Sequence, residues 1–128
     1  MSDVIELIFA DAAGKTVRKG PFRKFCLQGE TLREELNGPP IAVHEGHHWQ
    51  IGGKQFARFD CDCSIRVHLT RVDGKRTHDY GPYKSLSAQD GVLFADHAIF
   101  AFADRSLGDW YCHSDGLHWA LVFIESAG

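Results

Sequence analysis

The chain has 128 residues, 44% hydrophobic and 24% charged, with a formal net charge of −3. That length suggests one domain over residues 1–128, and the composition is ordinary for a globular protein. A net negative chain lacks the basic face of a nucleic-acid binder, no apolar run approaches the ~20 residues of a membrane helix, and no basic stretch followed by an apolar one marks a secretion signal.

The predicted partners are therefore a small molecule or another protein, with no nucleic acid and no membrane, in the cytoplasm. Cys26, Cys61, Cys63 and Cys112 read as reduced thiols packed in the core. A CxC with two scattered cysteines lacks the ligand spacing of a zinc site.

Taken in chain order, residues 4–10 read as a first strand, with DAAGK as its turn. Residues 16–28 hold one or two short strands interrupted at Gly20-Pro21. TLREEL, residues 31–36, is the one short helix expected, with Leu32 and Leu36 four apart and Asn37-Gly38 as its stop. Pro39-Pro40 then forces an extended start for residues 41–43.

Residues 56–70, FARFDCDCSIRVHLT, alternate for their whole length. Ala57, Phe59, Cys61, Cys63, Ile65, Val67 and Leu69 share one face, and Phe56 is the single apolar residue on the other. A period of two is a half-buried strand. Fully extended it would run roughly 50 Å, so it requires a bend, a bulge, or one strand serving two sheets. Asp73-Gly74 closes a hairpin; a two- or four-residue loop sets Leu69 opposite His78, His68 opposite Asp79 and Val67 opposite Tyr80, whereas a three-residue loop with a glycine bulge shifts the register by one. Gly81-Pro82 ends the strand.

Residues 92–95 and 98–103 are apolar on both faces and read as buried central strands broken at Asp96-His97. A last hairpin about Asp115-Gly116 places His113 opposite His118 and Cys112 opposite Trp119. No internal repeat shows. Eight to ten short strands with turn chemistry between them predict an all-β fold, an antiparallel β-sandwich or a closed β-barrel.

Four constellations could carry chemistry. Residues 44–48, HEGHH, match H-E-x-x-H, in which two histidines on one helix face hold zinc and the glutamate acts as general base. Here His44, Glu45 and His48 lie among Pro39-Pro40, Gly46 and Gly52-Gly53, which disfavour a helix. On the long hairpin, His68 facing Asp79 could act as an oriented base beside Arg66. The His113–His118 pair could hold zinc or iron. Trp49, Tyr80, Tyr83 and Trp110, with Arg66, could ring a ligand cleft. None reaches the specificity of a catalytic motif, and no cofactor is specified. The sequence therefore favours a non-catalytic binding or interaction module for a small molecule, sugar or peptide; a small histidine-rich enzyme dependent on zinc or iron is the alternative.

Overall fold

The computed structural model describes residues 4–61, 63–71 and 77–127. The first half of the chain supplies β1 (Ile5–Ala10), β2 (Thr16–Phe22), β3 (Lys24–Gln28), β4 (Thr31–Arg33), β5 (Pro40–Glu45), β6 (His48–Ile51), β7 (Lys54–Phe56) and β8 (Arg58–Cys61). The second half supplies β9 (Ile65–Thr70), β10 (Thr77–Tyr83), β11 (Leu86–Gln89), β12 (Val92–Ala95), β13 (Ala98–Asp104), β14 (Asp109–Cys112), β15 (His118–Trp119) and β16 (Leu121–Ser126). These strands form two open eight-stranded antiparallel sheets, ordered β15-β14-β13-β12-β11-β8-β1-β2 and β10-β9-β16-β3-β4-β5-β6-β7. The protein is a β-sandwich and not a closed barrel.

Alternation decides which side chains enter the core. β1 and β9 bury every second residue, and Phe59, Cys61, Ile65, Val67 and Leu69 are all buried. The long alternating run nevertheless does not stay in one sheet. β8 pairs with β1 and β11 in the first layer, while β9 pairs with β10 and β16 in the second. One run thus serves two sheets. Phe56, on the wrong face by alternation, is buried because β7 ends against β6 and the chain changes layer at Ala57. Such crossings cut long runs short, giving sixteen strands among the described residues where eight to ten were expected.

The layers meet through aromatic rings. Phe59 of one sheet lies 5.1 Å from Trp49 and 6.3 Å from Phe25 of the other, centroid to centroid, and 5.4 Å from Phe9 of its own sheet. Buried residues of both sheets form one continuous apolar cluster.

An internal duplication underlies this arrangement. Exchanging each of β1–β8 with its counterpart in β9–β16 converts one sheet order into the other. The registers agree. Ile5 pairs with Phe22 as Ile65 pairs with Tyr83, and the shift between Leu32 and Arg33 recurs between Leu93 and Phe94. The sequence conceals this because only scattered residues coincide, among them Gly-Pro-aromatic at 20–22 and 81–83 and a tryptophan at 49 and 110.

Several expectations are corrected. TLREEL is not helical: Leu32 is fully buried between Leu27 and Ala42, so sheet pairing overrides local propensity. No helix occurs among the described residues. β12 buries every second residue, so one face rather than two, and β13 buries only the consecutive Phe100 and Ala101, where its register with β12 shifts, leaving Ile99 exposed. β2 continues through Gly20-Pro21 and β10 through Gly81-Pro82. In the last hairpin Trp110 pairs with Trp119 and Tyr111 with His118, so neither His113 nor Cys112 takes its expected partner. A longer loop forms because Asp115 turns inward, where it accepts hydrogen bonds from Tyr80 and Trp119. The expected register of β9 and β10 is present, with His68 opposite Asp79. The Asp73-Gly74 turn itself lies outside the described residues.

Candidate functional site

Four turns gather where the two halves of the chain meet: those at Gly29-Glu30, Gly46-His47, Asp90-Gly91 and Arg105–Gly108. His44, in β5, is the one buried polar or charged residue among those described, 3% exposed. Its ring lies 5.0 Å from that of Trp49, its cross-strand partner. His44 Nδ1 is 2.7 Å from Glu30 Oε1. Arg105 crosses from the other half to donate through Nε to the same oxygen at 2.9 Å, and it also donates to the Gly46 carbonyl. Arg105 also brings a guanidinium nitrogen to 3.3 Å from His44 Nδ1. A carboxylate can only accept, so a neutral His44 that bonds Glu30 carries its proton on Nδ1 and has Nε2 as its acceptor. That Nε2 is buried without a hydrogen-bond partner, and so is Nε1 of Trp49.

The duplication shows what is special here. His44 N donates to the Glu30 carbonyl as Ala103 N donates to that of Gly91. Ala103 and Gly91 therefore occupy in the second half the places of His44 and Glu30. Trp110, the counterpart of Trp49, bonds the Gly29 carbonyl at 2.7 Å. The first half thus departs from a satisfied apolar arrangement by inserting a histidine and a carboxylate. Leaving a buried polar atom unpaired costs about 1–3 kcal/mol, so the departure is not a packing gain.

Beside this group lies a cavity of about 300 Å³, lined by Gly46, His47, Asp90, Gly91, Ala103 and Arg105 among others. Gly91 forms the wall toward His44: a methyl group there would stand 3.8 Å from His44 Cε1. His47 meets Asp90 across the mouth, and that hydrogen bond holds the Asp90 carboxyl below its usual range. A cavity of about 350 Å³ sits at the corresponding turns of the other half, beside Gly29 and Gly108, and no charged side chain lines it.

The expected site residues are spread over the molecule. Glu45 pairs with His48 at the end of the β5–β6 hairpin, while His44 pairs with Trp49 on the inner face. Histidines 44 and 48 therefore point to opposite sides of the sheet and cannot share a metal, because four residues of a hairpin do not return to one face as four residues of a helix do. Trp49 and Trp110 are core residues, 1% and 2% exposed. Tyr80 and Tyr83 are half-buried and edge-on to Phe100. Burial, then the Asp115 hydrogen bond, raises the Tyr80 hydroxyl; burial raises Tyr83. Arg66 is exposed on β9. His113 is exposed, its ring near Phe102. His118 Nδ1 lies 3.0 Å from Asp109 and 3.9 Å from Asp104.

His68 contacts Asp79 through Nδ1 and Glu125 through Nε2, the latter at 2.8 Å. Both ring nitrogens donate in the imidazolium form. Partial burial pulls its pKa down, but the hydrogen bonds to Asp79 and Glu125 outweigh this and raise it above the usual 6.5. A raised folded pKa means stability that is fully present below the unfolded value near 6.5 and is lost as pH rises through the folded value. Both carboxylates are largely exposed, so the contribution should be about 1 kcal/mol or less. NMR titration should show the His68 pKa falling in Asp79→Asn with the fold intact; equal values in the two proteins would exclude the pair.

Sequence reading missed Glu30, His47, Asp90 and Arg105, which sit in turns and carry no motif. No protein family model, curated protein or solved structure matches the chain.

Proposed function

We propose that the protein is a non-catalytic binding module that takes a small polar molecule, of monosaccharide or single-amino-acid size, in the cavity between His47, Asp90, Gly91 and Arg105. The observation that carries this reading is the convergence of His47, Asp90 and Arg105 on one cavity beside the buried His44–Glu30 pair. Asp90 would accept from a ligand hydroxyl or ammonium group, and Arg105 would donate to a ligand oxygen. The cavity lies at the lower limit of ligand pockets, about 300–1,000 Å³. Unlike the larger cavity, which no charged side chain lines, it gathers His47, Asp90 and Arg105. The four cysteines are free thiols, which fits a cytoplasmic location.

The test is a titration of protein labelled with 15N at histidine and backbone, using a panel of monosaccharides and free amino acids. At least one member should move the Asp90, Gly91 and Arg105 amides together and saturably. Asp90→Asn, which keeps the shape and removes the charge, should weaken that binding at least about 10-fold, the loss expected when a hydrogen bond to a charged group is weakened. Shifts confined to the Gly29–Gly108 cavity, or none at Asp90, Gly91 and Arg105, would sink the reading.

A further inference from the structure

We propose that Asp104, Asp109 and His118 form a binding site for one divalent first-row cation on the outer face of β13–β15. This does not rest on the cavity reading. The three residues come from three neighbouring strands, and one donor atom of each lies within 4.8 Å of the others. Metal–ligand bonds of about 2.0–2.2 Å place adjacent donors roughly 3 Å apart. His118 Nδ1 and Asp109 Oδ1, at 3.0 Å, already have that spacing, and Asp104 Oδ2 is 3.9 Å from the same nitrogen. Side-chain rotation closes the remainder.

The charge arrangement independently points to a cation. Asp104 and Asp109 are directly opposed across β13 and β14, and like charges at that position are destabilising. Neither carboxylate meets a lysine or arginine among the described residues; His118 is their one shared partner of basic character. In the first half the corresponding positions hold Glu45 opposite His48, with Gln55 on the next strand, where no like-charge conflict exists. Where the first half has a neutral or attractive pair, the second half has two carboxylates with a histidine beside them.

The donors are also held in place. Asp104 Oδ1 is engaged by the Ser106 hydroxyl and by the amides of Ser106 and Leu107, which leaves Oδ2 for the ion. The Tyr111 ring lies 5.2 Å from that of His118. Two carboxylates and one imidazole suit manganese, iron(II) or zinc better than the softer thiolate-seeking ions.

The probes are Zn2+ by calorimetry and Mn2+ by paramagnetic broadening, on the full chain without a histidine tag. One equivalent of Zn2+ should bind and raise the unfolding midpoint, and Mn2+ should broaden His118 and Tyr111 before any other residues. Asp109→Asn and His118→Gln should each weaken Zn2+ binding at least about 10- to 100-fold, while Glu45→Gln should not change it. Equal Zn2+ affinity in all four proteins, or broadening centred elsewhere, would overturn the proposal and leave the trio an ion pair of His118. If Asp109→Asn does not fold, His118→Gln alone supplies the affinity comparison, and unchanged affinity there overturns the proposal.

Discussion

Phe59→Ala should cost about 3–5 kcal/mol of unfolding free energy, the range for emptying a fully buried phenylalanine site. Phe59 has no exposed surface and lies on β8, which joins β1 of the first half to β11 of the second. Its ring touches Phe9, Phe25 and Trp49 from both layers. Three rigid rings on separate strands cannot all move inward, so little of the cavity would collapse. Guanidinium unfolding followed by tryptophan fluorescence measures the loss. The midpoint should fall with an unchanged slope, and Phe59→Leu should lose about half as much, because it restores most of the volume. A loss below about 1.5 kcal/mol for alanine would mean that the layers close over the gap.

The second large effect concerns a matched pair of glycines. Gly20 has φ +121° and Gly81 φ +110°, well beyond the left-handed region that asparagine or aspartate can enter. A Cβ at Gly20 would lie 2.9 Å from the Ile5 carbonyl oxygen, and one at Gly81 3.0 Å from that of Ile65. The obstructing atoms are backbone in strands β1 and β9, so they cannot swing aside as a side chain would. Alanine at either site should cost about 2–4 kcal/mol, combining conformational strain with displaced strand backbone. Gly46→Ala and Gly52→Ala are the controls. Both sit near φ +60° with open space around the added methyl, so about 1–2 kcal/mol is expected. Thermal unfolding of the four variants decides the matter. Equal losses at all four sites would show that the contact with the carbonyl carries no weight; a large loss at only one of Gly20 and Gly81 would show that the two halves are not mechanically equivalent.

The amino-acid order by itself determined what depends on near neighbours. Alternation over residues 56–70 assigned Phe59, Cys61, Ile65, Val67 and Leu69 to the core, and turn chemistry between short runs required an all-β fold. A two- or four-residue loop at Asp73-Gly74 predicted the register that sets His68 against Asp79, and strand pairing has that register rather than the one-residue shift of a three-residue loop. Where the chain changes sheet was not legible. An extended run looks identical whether its partners lie in one layer or two, and only the seating of Phe56 and Phe59 among distant rings puts β8 and β9 in different sheets. The duplication was hidden for a related reason: its halves share pairing geometry and very few side chains.

The candidate sites lie furthest from local reach. His44 meets Arg105, 61 positions away, and His47 meets Asp90, 43 positions away. Neither spacing forms a pattern, since the contact is made by turns of opposite halves converging. H-E-x-x-H at 44–48 looked like a metal site because a helix would bring its histidines together; a hairpin sends them to opposite faces. Asp104, Asp109 and His118 had no recognisable spacing because their approach comes from the pairing of β13, β14 and β15. Short-range periodicity therefore settled which faces are buried, while long-range strand pairing alone decided which polar groups share a site.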